Sequence, residues 1–195
     1  MIRVIKFNMK KTIFLTVLLI SLCIKAQTIS ISSYVGKIPN GAYLKDMDNT
    51  LPLVQGTWVA NFEEKQIILN ISEKFEKFPV KLLGDNYFSD MLFMRYTIKD
   101  SNGNQIVTTM DKPTINANIT STFTSADRKR IGFIYDGEAC GIGNGLISLT
   151  ILDETHINWE YRPLGGIIDP NNCSEYSSDI KSYIPRTLNL TFTKQ

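Results

Sequence analysis

Few residues in this chain are of a type and spacing that could do chemistry. His156 is the only histidine among 195 residues. That argues against most zinc sites and His-based triads and leaves carboxylate chemistry open. His156 falls on the polar side of an alternating run beside Asn158 and Glu160, which reads as a solvated position. Asp46, Asp48 and Asn49 resemble the start of a calcium loop but lack its glycine and distal glutamate, so a surface turn is expected. Glu63, Glu64, Glu73 and Glu76 are the densest acids. A carboxylate pair would suit glycosidic acid–base work if it faced one cleft, but a solvated face is the reading their spacing supports. The run Asp136-Gly137-Glu138-Ala139-Cys140-Gly141-Ile142-Gly143-Asn144-Gly145 is glycine-rich. A phosphate cradle needs a helix after it, and here a strand pattern starts at Leu146, so a hairpin loop pinned by Cys140 is expected. There is no Gly-x-Ser-x-Gly elbow. The expectation is a protein that is not an enzyme, with no catalytic residue, metal or cofactor.

Binding chemistry is better represented. Trp58, Phe93, Phe133, Tyr135, Trp159, Tyr161 and Phe192 sit at alternating positions and are expected in the core. Trp58, Phe133, Tyr135, Trp159 and Tyr161 are the candidates to line an apolar cavity, because small-molecule sites are mainly apolar with a few polar groups.

The elements that must hold these residues begin after an address. Arg3, Lys6, Lys10, Lys11 and Lys25 precede or flank the apolar run Ile13–Ile20, with no acid in the first 26 residues. Basic start, short apolar centre and small-residue end describe a secretory signal peptide, and the apolar run is shorter than a membrane span. Met9 would serve equally as a start. Cleavage is expected after Ala26, although Ile24 stands where a small residue is preferred. A lipid anchor on Cys23 is the disfavoured alternative, since Leu22 precedes it. Removing five of the 21 Lys+Arg leaves 16 against 19 Asp+Glu, a net charge of −3. No basic stripe remains for nucleic acid, and the mature chain holds no transmembrane segment. The expected location is secreted or periplasmic. Of three cysteines, Cys140 and Cys173 then remain. In an oxidising compartment they are expected to pair, contributing about 3–4 kcal/mol on the chain-entropy estimate.

Composition is that of a globular domain, 43% hydrophobic and 21% charged. Residues 27–52 read as a lead-in segment with a short strand or helical turn near 45–54. Period-two runs follow: Trp58/Ala60/Phe62, Ile67/Leu69/Ile71, Leu92/Met94/Tyr96/Ile98, Ile106/Thr108/Met110, Ile115/Ala117/Ile119, Ile131/Phe133/Tyr135, Ile147/Leu149/Ile151, Ile157/Trp159/Tyr161 and Leu188/Leu190/Phe192. Alternation of this kind marks half-buried antiparallel strands, and Asn102-Gly103 marks a tight hairpin. The fold class is all-β. Eight or nine such strands joined by short turns favour an up-and-down barrel, whose interior is filled by side chains or holds one small ligand.

Gly56-Thr57-Trp58 resembles the Gly-x-Trp opening of lipocalin-like barrels, in which the Trp is packed under a basic side chain from the last strands. Arg162 and Arg186 are the expected partners. Arg95-Tyr96-Thr97-Ile98-Lys99-Asp100-Ser101-Asn102-Gly103-Asn104 resembles small exported bacterial proteins of unknown function with a lipocalin-like build. So does the C-terminal pattern of Cys140-Gly141, Ile168-Asp169-Pro170, Cys173, Pro185 and Leu190–Gln195. The resemblance implies a barrel over 53–195 behind a signal peptide (1–26) and lead-in (27–52); it carries no known activity and so brings over no catalytic residue. The leading expectation is therefore binding, of a small apolar ligand in the barrel interior. The alternative is an envelope protein-interaction module working through loops 136–145 or 163–186. A hydrolase of envelope polymers ranks third, and the oligomeric state is left open.

Overall fold

The computed structural model describes residues 27–33, 36–82, 84–165 and 173–195, so the expected signal peptide, its cleavage site and Cys23 lie outside the described residues. The strands are β1 (Thr28–Ser30), β2 (Tyr43–Lys45), β3 (Gly56–Phe62), β4 (Lys65–Ile71), β5 (Phe75–Leu82), β6 (Asp85–Met91), β7 (Phe93–Lys99), β8 (Gln105–Thr108), β9 (Ile119–Thr124), β10 (Arg130–Tyr135), β11 (Gly145–Ile151), β12 (His156–Pro163) and β13 (Leu190–Lys194). Three short 3-10 turns, Leu51–Val54, Thr114–Asn116 and Ala139–Gly141, are the only helical pieces among the described residues.

Eight strands close on themselves in the order β3-β4-β7-β9-β10-β11-β12-β13 and back to β3, every pairing antiparallel. This is the expected all-β up-and-down barrel. The alternation that specified it is visible in the burial: Ile67, Leu69 and Ile71 on β4, and Ile157, Trp159 and Tyr161 on β12, all point into one core. Because side chains alternate across a strand, that pattern commits each strand to a single register. The β3–β4 hairpin turns on Glu63 and Glu64, both at positive φ (46° and 59°), the geometry of a two-residue primed turn.

Two insertions interrupt the meander. β8 folds back on the upper part of β7, so only Phe93 and Met94 of β7 pair with β9. The strand expected from Ile115 begins at Ile119 instead, because residues behind Pro113 form a 3-10 turn. The larger insertion is β5–β6. It joins the lead-in segment in a second sheet of order β1-β2-β6-β5, with β1, β2 and β6 parallel. The sequence reading assigns no strand here, since Phe75-Glu76-Lys77-Phe78-Pro79-Val80 has no clean alternation and its register slips between Phe75 and Phe78.

A buried carboxylate organises this side sheet. Asp90 is fully buried and accepts from Tyr43 Oη (2.5 Å), the Asp46 N–H (3.0 Å) and the Lys77 N–H (3.0 Å). Asp46 in turn accepts the N–H groups of Thr50 and Leu51, each at 2.9 Å, and so starts the Leu51–Val54 turn. Asp46 is thus a buried structural residue, where a surface turn was expected; Asp48 is exposed and accepts from Ser32 Oγ. The side sheet packs on the outside of the barrel. Phe93 points away from the core that holds Met94, and meets Phe75 and Phe78 edge-on at 5.0 and 5.2 Å.

Candidate functional site

The five aromatics proposed to line a cavity lie in one core cluster, at or below 3% exposure. Each polar ring among them uses its hydrogen-bonding atom to fasten a segment that closes an end of the barrel. At the end where β3 begins, Trp58 Nε1–H donates to the carbonyl of Val54 at 2.8 Å, tying the ring to the 3-10 turn whose Leu51 and Val54 are fully buried. The basic side chain over Trp58 is Lys194, at 5.2 Å from the ring. It takes the place expected of Arg162 or Arg186: the register sets Lys194 opposite Trp58, while Arg162 is exposed and pairs with Glu160.

The other end is marked by the cross-strand pairs Tyr135–Gly145 and Gly145–Pro163. Two segments cover it, 136–144 and 173–187, joined by the Cys140–Cys173 disulfide with Cα atoms 5.9 Å apart. Beneath this cover Glu138 accepts the hydroxyls of Tyr96 and of Tyr135 (2.5 Å) on one oxygen. Trp159 Nε1–H donates to Pro185 O at 3.0 Å, and Tyr161 Oη donates to Gly143 O. Ile184 inserts into the core from above. The glycines of the loop are used for close approach: a Cβ on Gly143 would come within 2.4 Å of Ser182, and one on Gly137 within 2.6 Å of the Gly141 backbone. The run is therefore a hairpin loop held by Cys140, with no phosphate-binding helix after it.

Burial, and then the hydrogen bond and charge of Glu138, push the phenols of Tyr96 and Tyr135 well above the ordinary tyrosine value. Burial does the same for Tyr161. At neutral pH these groups are hydrogen-bond donors, and a carboxylate occupied by two such donors is a latch. His156 bonds Asp153 through Nδ1 at 3.0 Å on the surface. No group of three metal-ligating side chains occurs among the described residues.

With buried side chains packed along its interior and a segment tied across each end, the barrel also presents an outer wall. On β9, β10 and β11 the side chains of Phe123, Ile134 and Leu146 face solvent at 46%, 38% and 47% exposure. Ile134 and Leu146 are directly opposed, and Phe123 is opposed to Gly132. A groove of about 300 Å³ runs beside Phe123 and Leu146, lined also by Arg130, Ser148, Glu160 and Arg162. The sequence reading identifies neither Glu138 nor Phe123. For Glu138 the signal was available: it is the acid adjoining the Ala139-Cys140 turn. For Phe123 it was not, since Ile119, Ser121 and Phe123 alternate as if all three faced inward.

The fold and these surfaces define a class: a closed eight-stranded antiparallel barrel with an apolar core, a disulfide-tied cover and an apolar outer wall. The chain belongs to a family of unknown function (DUF6705), whose model matches residues 9–195. No curated protein matches the chain. No solved structure matches it.

Proposed function

We propose that this is an exported, non-enzymatic binding barrel that meets its partner on the outer wall of β9–β11. The observation that carries this reading is the contrast between the two faces of the same strands. Inside, Phe133, Tyr135 and Leu149 lie in the core cluster at 0–1% exposure. Outside, three large apolar side chains lie together in solvent, and contiguous exposed apolar surface marks interaction sites. A ligand inside the barrel would have to displace Ile184 and Glu138 first, so the small apolar ligand is better placed on the wall than in the interior. Export is supported by the basic-apolar-small N-terminus, by a disulfide that persists in oxidising compartments, and by the lack among the described residues of a helix able to cross a membrane.

Fractionation of cells producing the full chain tests export, with the protein expected outside the cytoplasm and cleaved near Ala26. Photo-crosslinking residues placed at Ile134 or Leu146 test the wall, with Leu152, exposed at 55% on the same strand-and-turn unit, as control. Adducts are expected from the first two positions and not from the third. Equal labelling from all three, or none, sinks the reading.

A further inference from the structure

The wall is built at a cost that packing alone does not explain. The β9–β10 register slips between Gly132 and Phe133: Phe133 opposes Ser121, Gly132 opposes Phe123, and Thr122 is left without a cross-strand partner. This is a β-bulge, a device that re-aims the residues after it. Without it, alternation from Ile119 and Ser121 would turn Phe123 into the core. With it, Thr124 is buried and the Phe123 ring lies across the strand outside. Gly132 is what lets it lie there, because any Cβ at that position would stand 1.9 Å from the ring. The bulge and the glycine together spend a large aromatic on solvent.

The groove beside the ring has a chemical polarity. Ser148 lines it with a hydroxyl that is buried and has no hydrogen-bond partner. Ser148 opposes Gly132 on one side and Glu160 on the other. Arg130 stands two residues from Gly132, and Arg162 two residues from Glu160, so both arginines hold positions diagonal to Ser148 on the sheet, and both line the groove. Glu160 accepts from Arg162 Nε, while Arg130 makes no ion pair within 4 Å among the described residues. The site thus has apolar walls from Phe123 and Leu146, two cations against one anion, and an orphan hydroxyl between them. Its volume is at the small-molecule scale, and the closed barrel presents no strand edge here for a peptide to extend.

We propose that this groove binds a single-chain anionic amphiphile. The alkyl chain lies against Phe123 and Leu146 toward Ile134, and the carboxylate sits over Ser148 between Arg130 and Arg162. The inference rests on the outer-wall reading and names its ligand. A chain carboxylate satisfies the orphan hydroxyl as well as the guanidinium groups, whose planar forks suit it.

The test is titration of the mature, disulfide-bonded protein with a dansyl-labelled undecanoate, displaced by decanoate, decanol or decyltrimethylammonium. Saturable binding is expected, displaced by decanoate about tenfold better than by the other two. Phe123→Ala should weaken every displacer about tenfold or more, as loss of a buried aromatic contact does. Arg130→Gln with Arg162→Gln should erase the preference for the anion and leave decanol unchanged. These positions are exposed, and an unchanged melting temperature confirms that each variant folds. Equal displacement by all three compounds, Phe123→Ala binding like wild type, or association only with anionic vesicles and not with monomeric decanoate overturns the proposal. If crosslinks from Ile134 and Leu146 capture a protein while decanoate does not bind, the ligand class fails and the outer-wall reading stands. If neither occurs, both fail.

Discussion

Two carboxylates hold two regions of this molecule, and they do it differently. Asp90, in the side sheet, is fully buried and gathers one phenol and two backbone N–H groups, from segments as far apart as Tyr43 and Lys77. Glu138, at the covered end of the barrel, is half-buried and gathers two phenols and no backbone. Backbone donors fix the path of the chain, so Asp90 is architectural. It supplements the small apolar cluster that Phe75, Phe78, Val80 and Met91 of this sheet form with Phe93 of the barrel. Side-chain donors fix only the position of what they hold, so Glu138 is a fastening on a structure that apolar burial has already specified. A buried carboxylate among donors is expensive to disturb, because the buried Asp46 N–H loses its partner where water is scarce, and the half-buried Tyr43 hydroxyl and Lys77 N–H lose theirs.

The largest effect should therefore come from the side sheet. Asp90→Ala strands the buried Asp46 N–H, at about 1–3 kcal/mol for a buried donor left unpaired, and the half-buried Tyr43 Oη and Lys77 N–H, each at less because water reaches them. Urea denaturation should show a loss of about 3–5 kcal/mol in total, and hydrogen exchange should show it concentrated in 43–51 and 75–91. Loss of protection spread evenly over β10–β12 would mean that barrel and side sheet form one cooperative unit, and would erase the distinction drawn between them. Next in size is the cover. Cys140→Ser with Cys173→Ser should cost about 2–4 kcal/mol, and proteolysis should find 173–187 first. If the double variant instead loosens the side sheet, the cover is not a separate fastening.

How much of this was legible follows the same division. Strands that alternate, such as Ile147/Leu149/Ile151 and Ile157/Trp159/Tyr161, declare both their type and their buried face, and the barrel assembles from them with the expected topology. The Cys140–Cys173 pairing was legible from compartment and parity. The side sheet was not, because its specification lies in contacts remote in sequence: nothing local to Asp90 says that Tyr43 and Asp46 come to it. The bonding of the inner aromatics was hidden for a related reason. Alternation locates aromatics on the inner face but says nothing of what their ring N–H and O–H groups bond, so the ties of Trp58, Trp159 and Tyr161 to Val54, Pro185 and Gly143 were not legible. A bulge is invisible to alternation altogether, which hid Phe123.

The smallest effect, and the sharpest for the comparison, is Glu138→Gln. The amide keeps the shape and an acceptor oxygen, and loses the charge that both phenols address. A charge-assisted hydrogen bond becomes a neutral one, about 1–2 kcal/mol in stability. Because Glu138 and the disulfide hold the same cover, the loss should shrink when the disulfide is already gone, a coupling that a double-mutant cycle reads directly. The pH dependence separates the two carboxylates further. Tyr96 and Tyr135 have folded-state pKa values raised above the unfolded value near 10. Their contribution is complete below that pH and is lost as pH rises through the folded values. Tyr43 is raised too, by burial and then by its bond to Asp90. In wild type, tyrosinate absorbance should therefore lag, with these phenols ionising only as their regions open. In Glu138→Gln the onset should move to lower pH for Tyr96 and Tyr135 and stay where it is for Tyr43, resolved by Tyr→Phe at each position. A parallel shift of all three would show that the covered end and the side sheet respond as one body, and that the two carboxylates do the same job after all.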